Sequence, residues 1–411
     1  MAKHPRKYIY ISNLNYDGTV YQTQVLDWLH LFNKYDIEFD LIQAFHIKEL
    51  KNTGFINQQL KEIKRNTKNF RGHIYLLPSK SIFYFFNTII IFFRFLRLFL
   101  KYNEVLIFSR TLIGKEIAWL RKILPFKIIF FFDARAASAE ENKYIAKKEG
   151  NFKLKKYKTI ANIYFLEYKT LTSADKVFSV SKALQKYFKQ TYNINDDKFV
   201  SYPCLSDPEK FYFSPALRIE TRNNLKIDEC TKVFVYSGGI GSSWHVTLSM
   251  VLFFDQLFKY EENFLFLCLT REKDQVTKML VEFPEIISKC ISFSVQNDEV
   301  CKYLNAADYG ILFRENTIMN NVASPTKFAE YILCGLPVLI SEGVGDYSKY
   351  TIDNDLGVLI TEDILKFPVD FSFKDFLEKK FNREYISEIG KRSFSKDSII
   401  NTLVYELKSG K

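Results

Sequence analysis

SPTKFAEYILCGLPVLIS, residues 324–341, decides the fold. Ser324 has an N-cap side chain, and Pro325 suits the first helical position, where its missing N–H costs nothing. Gly335 fits a helix stop, Pro337 prevents continuation, and 338–341 is a short apolar run of strand type. The segment therefore reads helix, tight turn, strand. The amides around 325–328, Thr326 among them, carry partial positive charge at such a helix start, Lys327 adds a full one, and Glu330 follows about one turn on. That is an anion site beside a hydroxyl acceptor, and a nucleotide sugar offers both partners, a diphosphate and ribose or sugar hydroxyls. The spacing fits equally an ordinary surface helix with Glu330 as a solvated acid.

Working outward, short β-rich runs at 8–12, 40–43, 74–77, 105–108, 128–132 and 177–180 alternate with helical segments. The pattern restarts at 233–237 and continues through 264–269, 291–293, 310–313 and 338–341. Such alternation implies parallel sheets covered on both faces. With 411 residues and 47% hydrophobic content the chain exceeds one ordinary core, so two α/β domains are expected. The boundary falls in the Pro-, Ser- and Asp-rich stretch 203–215. Two doubly wound sheets facing each other leave a cleft at the carboxyl ends of their strands, where open α/β sheets bind ligands.

Several segments besides 324–341 are similar to those of GT-B glycosyltransferases of the retaining family 4 type, common in bacterial surface-polysaccharide synthesis. FFFDARAASAEEN (130–142) resembles the family's strand ending in Asp-x-Arg. ADKVFSVSKALQKYF (174–188) resembles its "Ala-Asp, strand, Ser, helix" unit. YSGGIGSSWH (236–245) stands at the glycine-bearing loop that opens the second domain. LNAADYGILF (304–313) resembles the strand before the donor motif, and FSKDSIINTLVYEL (394–407) the terminal helix that crosses back to the first domain.

The resemblance implies a GT-B architecture: an acceptor-side Rossmann-like domain at 1–204, a donor domain at 205–385, and a C-terminal helical segment at 386–411 packing back on the first. It implies that Glu330 holds the donor ribose, with Ser324, Pro325, Thr326, Lys327, Gly238, Gly239 and Gly241 around the diphosphate. Asp133 and Arg135 are the expected catalytic pair, one orienting an acceptor hydroxyl and the other pairing with phosphate; their alternative is a mutual salt bridge at a strand end. Asp17, Gly18 and Arg110 are expected on the acceptor side. Two departures stand out. The family's first Glu, eight positions before Glu330, is Val322 here, with Asn320 and Asn321 in the same loop, and 238–243 contains neither Arg nor Lys.

Six cysteines without a CxxC pair fit reduced thiols in the cytoplasm. The five histidines make no HxxxH or HExxH arrangement, and the resembled family needs no metal, so neither metal nor cofactor is expected. Asp353 and Asp355 do form an Asp-x-Asp pattern, in a loop that reads as a turn. No signal-peptide core precedes the first strand. The run 81–100, SIFYFFNTIIIFFRFLRLFL, is interrupted by Asn87, Arg94 and Arg97, which suits an interfacial or buried amphipathic helix better than a membrane span.

The net charge is +11. Nine Lys or Arg face one acid across 61–101, and seven lysines face one acid across 143–158. Cations interleaved with Phe, Tyr and Leu suit an anionic bilayer, where a polyprenyl-linked or other glycan acceptor would reside, and equally suit a solvated basic face. Peripheral location on the inner face of the cytoplasmic membrane follows as an expectation. Charge is the sole support for a nucleic-acid partner, since no zinc-finger, RRM-like or heptad-coupled basic motif occurs, and none is expected. A nucleotide-sugar 2-epimerase is the alternative within the same fold.

Overall fold

The expected strands form, and their register brings charged side chains to the carboxyl edges of two sheets. The computed structural model describes residues 4–16, 20–77, 83–124, 126–148, 154–240, 247–361 and 372–410. The chain divides into two compact units, Met1–Tyr202 with Ile400–Lys411, and Pro203–Ile399.

The first unit holds β1 (His4–Ser12), β2 (Phe39–His46), β3 (Phe70–Leu76), β4 (Tyr102–Ser109), β5 (Lys127–Ala134), β6 (Lys176–Ser179) and β7 (Phe199–Ser201). Their spatial order is β3-β2-β1-β4-β5-β6-β7, all parallel. The second unit holds β8 (Lys232–Ser237), β9 (Phe264–Leu269), β10 (Cys290–Phe293), β11 (Tyr309–Leu312), β12 (Val338–Ser341) and β13 (Gly357–Ile360), in the parallel order β10-β9-β8-β11-β12-β13. In both, the strand order reverses direction beside the first strand, between β1 and β4 and between β8 and β11. At such switch points loops splay apart and ligands enter. β7 and β13 are additional to the strands read from sequence.

Both Ala-Asp pairs noted in the sequence hold strands together. Asp175 accepts from the Phe130 amide at 2.8 Å and is ion-paired with Arg121. Asp308 accepts from the Val233 amide at 2.8 Å and pairs with Arg218 at 2.6 Å. Each carboxylate thus satisfies a backbone donor of a neighbouring strand, and arginine neutralises it.

Aromatic rings fill both cores. Phe108 stands 4.8 Å from Phe178 and 5.3 Å from Tyr10 between ring centroids. In the second unit Phe254 meets Phe266 at 4.5 Å and Tyr309 meets Phe376 at 4.8 Å. Such pairs add about 0.5–1.5 kcal/mol each beyond the area they bury.

Three segments differ from expectation. The last helix begins at Ile400, because residues 394–399 are taken up by a short turn whose Ser395 bridges to Ser206. The helix Arg383–Ser393 packs on the helix Thr326–Leu333 instead, where a Cβ on Gly390 would come 2.8 Å from the Leu333 Cα. The Asp-x-Asp loop is helical through Asp353 and turns at Asp355, whose φ is +49°. Asp353 is paired with Lys349 and Asp355 with Lys379. Among the described residues no three His, Cys, Asp or Glu side chains gather as metal ligands.

Candidate active site

The helix Thr326–Leu333 occupies the switch point of the second sheet. Tyr331 fixes it there: its hydroxyl accepts from the Ser237 amide at 3.2 Å and its ring lies on Gly310 of β11, where a Cβ would sit 2.5 Å from Cδ2. At its far end Gly335 adopts φ +62°, and a side chain there would strike the Arg383 carbonyl. Arg383 donates in turn to the carbonyls of Gly335 at 3.0 Å and Cys334 at 3.2 Å, closing the helix C-terminus.

The helix cap differs from the sequence reading. Pro325 is the N-cap and Thr326 the first helical residue. Ser324 is drawn away by stronger partners: its hydroxyl accepts from the Cys204 amide at 2.9 Å and meets the Tyr347 hydroxyl at 2.6 Å, both in buried surroundings. The first-turn amides of Thr326 and Lys327 therefore lack a side-chain cap.

Lys327 reaches from this turn across to the loop after β8. Its ammonium lies 4.3 Å over the Tyr236 ring and donates to the Tyr236 hydroxyl at 2.9 Å. The Tyr236 hydroxyl donates to the Gly239 carbonyl at 2.6 Å, while the Ile240 amide donates to Glu272 at 2.5 Å. Gly238 has φ +119°, and a Cβ on it would stand 2.7 Å from Lys327 Cε. Only glycine gives both that backbone conformation and that clearance. Gly241 lies outside the described residues.

Burial and the neighbouring Arg314 charge push the Lys327 amine down to about 7. Glu330, 8% exposed, is pushed up to about 7 by burial against the opposing pull of Lys327 and Lys396. Arg314, directly beyond β11, was not among the residues expected from sequence. Its amide donates to Ser341 Oγ at 2.7 Å, and that hydroxyl returns a bond to the Arg314 carbonyl at 2.8 Å. Its guanidinium makes one long contact, 3.4 Å from Asn320 Oδ1, and its buried Nε has no hydrogen-bond partner among the described residues. Burial lowers its pKa as well. Asn320 is committed to the Glu315 carbonyl at 2.9 Å, and Asn321 to Asn316 at 3.0 Å. Cationic Lys327 and Arg314, uncapped amides and a glycine turn thus converge where an enclosed anion would be neutralised.

The first unit carries a second cluster at its own switch point. Parallel register places Ile11 beside Ser109 and Ser109 beside Phe132, so Ser12, Arg110 and Asp133 follow in one row. Asp133 is 1% exposed; Tyr10 donates to it at 2.6 Å, and Arg135 pairs with it at 2.5 Å. The Arg135 guanidinium stacks 4.1 Å over Tyr202. Arg110 donates to Gln24 at 3.2 Å, and its Nη1 is buried without a hydrogen bond among the described residues. Asp17 and Gly18 lie outside the described residues.

No protein-family model matches this sequence, and no curated protein matches it. Two parallel Rossmann-like sheets in one chain define the GT-B fold, and solved structures agree over its length. The UDP-glucose complex of HepE from Anabaena superposes with a TM-score of 0.62 at 13% identity, covering 99% of this chain and 100% of that one. The apo form of WaaB, a lipopolysaccharide outer core galactosyltransferase, gives 0.65 at 11%, covering 99% and 100%. A Listeria monocytogenes protein described as a UDP-N-acetylglucosamine 2-epimerase gives 0.51 at 12%, covering 100% and 96%.

Proposed function

We propose that this chain is a glycosyltransferase, of the retaining family 4 type that its motifs resemble, moving a sugar from a nucleotide-sugar donor to a glycan or polyprenyl-linked acceptor in bacterial surface-glycan synthesis. The observation that carries the reading is the seating of Lys327 on Gly238 and Tyr236, with Glu330 buried one turn along the same helix. Glycosyl transfer builds positive charge at the anomeric carbon and negative charge on the departing diphosphate. Lys327, Arg314 and the amides of Thr326 and Lys327 meet the second need, and Glu330 takes ribose hydroxyls. The anomeric C–O bond to the diphosphate breaks, a bond to the acceptor oxygen forms on the same face, and the acceptor proton passes to the leaving phosphate. Asp133, already engaged by Tyr10 and Arg135, serves as a positioning group on the acceptor side. No metal or cofactor enters this scheme.

An anionic bilayer is the proposed docking partner, on the inner face of the cytoplasmic membrane. Phe86, Phe93 and Leu100 are exposed at seven-residue intervals along the helix Phe83–Lys101. Phe85 meets Trp119 at 5.7 Å, and Lys115 lies 5.1 Å over the exposed Phe165, so the same aromatic and basic surface continues across two further helices. Among the described residues no helix is long and apolar enough to cross a membrane. Aromatic rings with nearby ammonium groups suit the headgroup region.

Calorimetric titration of UDP, GDP, ADP and CMP into the parent protein and Glu330→Ala tests the donor assignment. One nucleotide binding tightly and depending on Glu330 supports it; equal affinity of both proteins removes it. The epimerase alternative shares the fold, and product analysis without acceptor separates the two, since only an epimerase converts donor alone to its epimer.

A further inference from the structure

We infer that the switch point of the first sheet is an anion subsite, built by Arg110 and Arg135, which takes a phosphate group carried by the acceptor. The inference rests on the reading of the first unit as the acceptor side. Arg110 and Asp133 leave the carboxyl ends of adjacent strands, and Arg135 pairs with that acid. Arg110 and Arg135 both act electrostatically on the buried hydroxyls of Tyr10 and Tyr202, and Asp133 is the carboxylate acting on the same two. Asp133 is committed to Arg135 and Tyr10, whereas Arg110 has a neutral amide, Gln24, as its hydrogen-bonding side-chain partner.

The surroundings half-bury these groups, and Arg110 Nη1 itself is buried. Arg135 is 9% exposed and stacked on Tyr202, whose ring packs 4.9 Å from Trp28. Tyr21, fully buried, closes another side and is bonded to Gln43 at 3.0 Å. A half-buried cation with a buried, unbonded N–H and no counter-charge is costly, so a pocket of this make-up is complete when an anion enters. Guanidinium favours phosphate because its planar fork gives two parallel N–H donors, and Arg110 still has a buried N–H to give. The backbone is already set for this: the Arg110 amide donates to the Ile11 carbonyl at 3.0 Å, which continues the β1–β4 pairing and fixes where the side chain leaves the sheet.

Phosphate could arrive as a sugar phosphomonoester or as the diphosphate of a lipid carrier. Glucose 6-phosphate and farnesyl diphosphate serve as the two probes, titrated calorimetrically into the parent, Arg110→Ala, Arg110→Lys and Lys327→Ala proteins, each first shown to keep the parent's melting behaviour. The expected result is at least tenfold weaker binding of one probe in Arg110→Ala, partial recovery in Arg110→Lys, and parent-like binding in Lys327→Ala. Whichever probe responds identifies the source. Parent-like binding in Arg110→Ala, loss confined to Lys327→Ala, or binding of neither probe to the parent overturns the subsite. Nucleotide affinity measured on the same proteins keeps the two readings apart: donor binding can fail while the Arg110 response stands, and the reverse.

Discussion

Lys327 Nζ sits 2.9 Å from the Tyr236 hydroxyl and 4.3 Å above the centre of the same ring, so one tyrosine supplies both an acceptor oxygen and a π face to a single ammonium. That double contact holds the amine in place although burial and Arg314 lower its pKa to about 7. The group is thus poised to take up a proton when an anion arrives.

The pH dependence follows from this. Unliganded Lys327 loses its proton near pH 7, and a bound diphosphate favours the charged form and raises the pKa. Nucleotide-diphosphate binding between about pH 7 and 9 is therefore expected to take up protons, and affinity to fall as pH rises through that window. Calorimetry in buffers of different ionisation enthalpy measures the uptake. Glu330→Gln removes the second group that titrates near 7 and should leave uptake in place, whereas Lys327→Ala should abolish it.

Arg314 makes a prediction that depends on phosphate number. Arg314→Ala should weaken a nucleoside diphosphate by roughly tenfold or more, about 1.4 kcal/mol, and hardly affect the free nucleoside. Comparing UDP with uridine on the same variant checks this. Equal loss for both would assign Arg314 to general support of the loop.

Gly310 has no unusual dihedral, so its requirement is purely one of contact. Gly310→Ala places a methyl group 2.5 Å from the Tyr331 ring and should cost about 1–3 kcal/mol, the usual penalty for overpacking. Urea denaturation measures it. The same substitution presses on the helix Thr326–Leu333 through Tyr331, so nucleotide affinity should fall with stability.

The exposed aromatic stripe sets a test with lipid. Phe86→Ser with Phe93→Ser should reduce co-sedimentation with anionic vesicles while leaving nucleotide affinity unchanged. Raised salt should weaken the parent's binding, because counterions screen surface attraction beyond about 10 Å at 0.1 M. Salt-insensitive binding would favour an apolar over an electrostatic mode.

The alternation of β-rich runs with helical segments made eleven of the thirteen strands legible, because most carry a core of β-branched or aromatic residues. β7 (FVS) and β13 (GVLI) are additional: β7 has only three residues, and β13 follows directly on the turn at Asp355. In the site, Gly335 and Lys327 were readable from local helix chemistry. Ser324 was misread because its decisive partner, the Cys204 amide, is 120 residues away. Arg314 was invisible for a related reason: its place beside Lys327 depends on β11 lying next to β8, a neighbour relation that no local window contains. The burial that raises Glu330 to about 7 is likewise a property of the assembled helix face.

The helix Ile400–Ser409 is counted with the first unit, although nearly two hundred residues of the second unit intervene. Arg6 of β1 donates to the carbonyls of Leu407 and Lys408 at 2.7 Å each, tying this helix to that strand. During synthesis the ribosome therefore delivers every residue of the second unit before the first can close. A chain cut after Ile399 should keep a protease-resistant second unit and lose resistance first around β1. The order of cleavage in a limited digest would read out this dependence of β1 on the helix Ile400–Ser409.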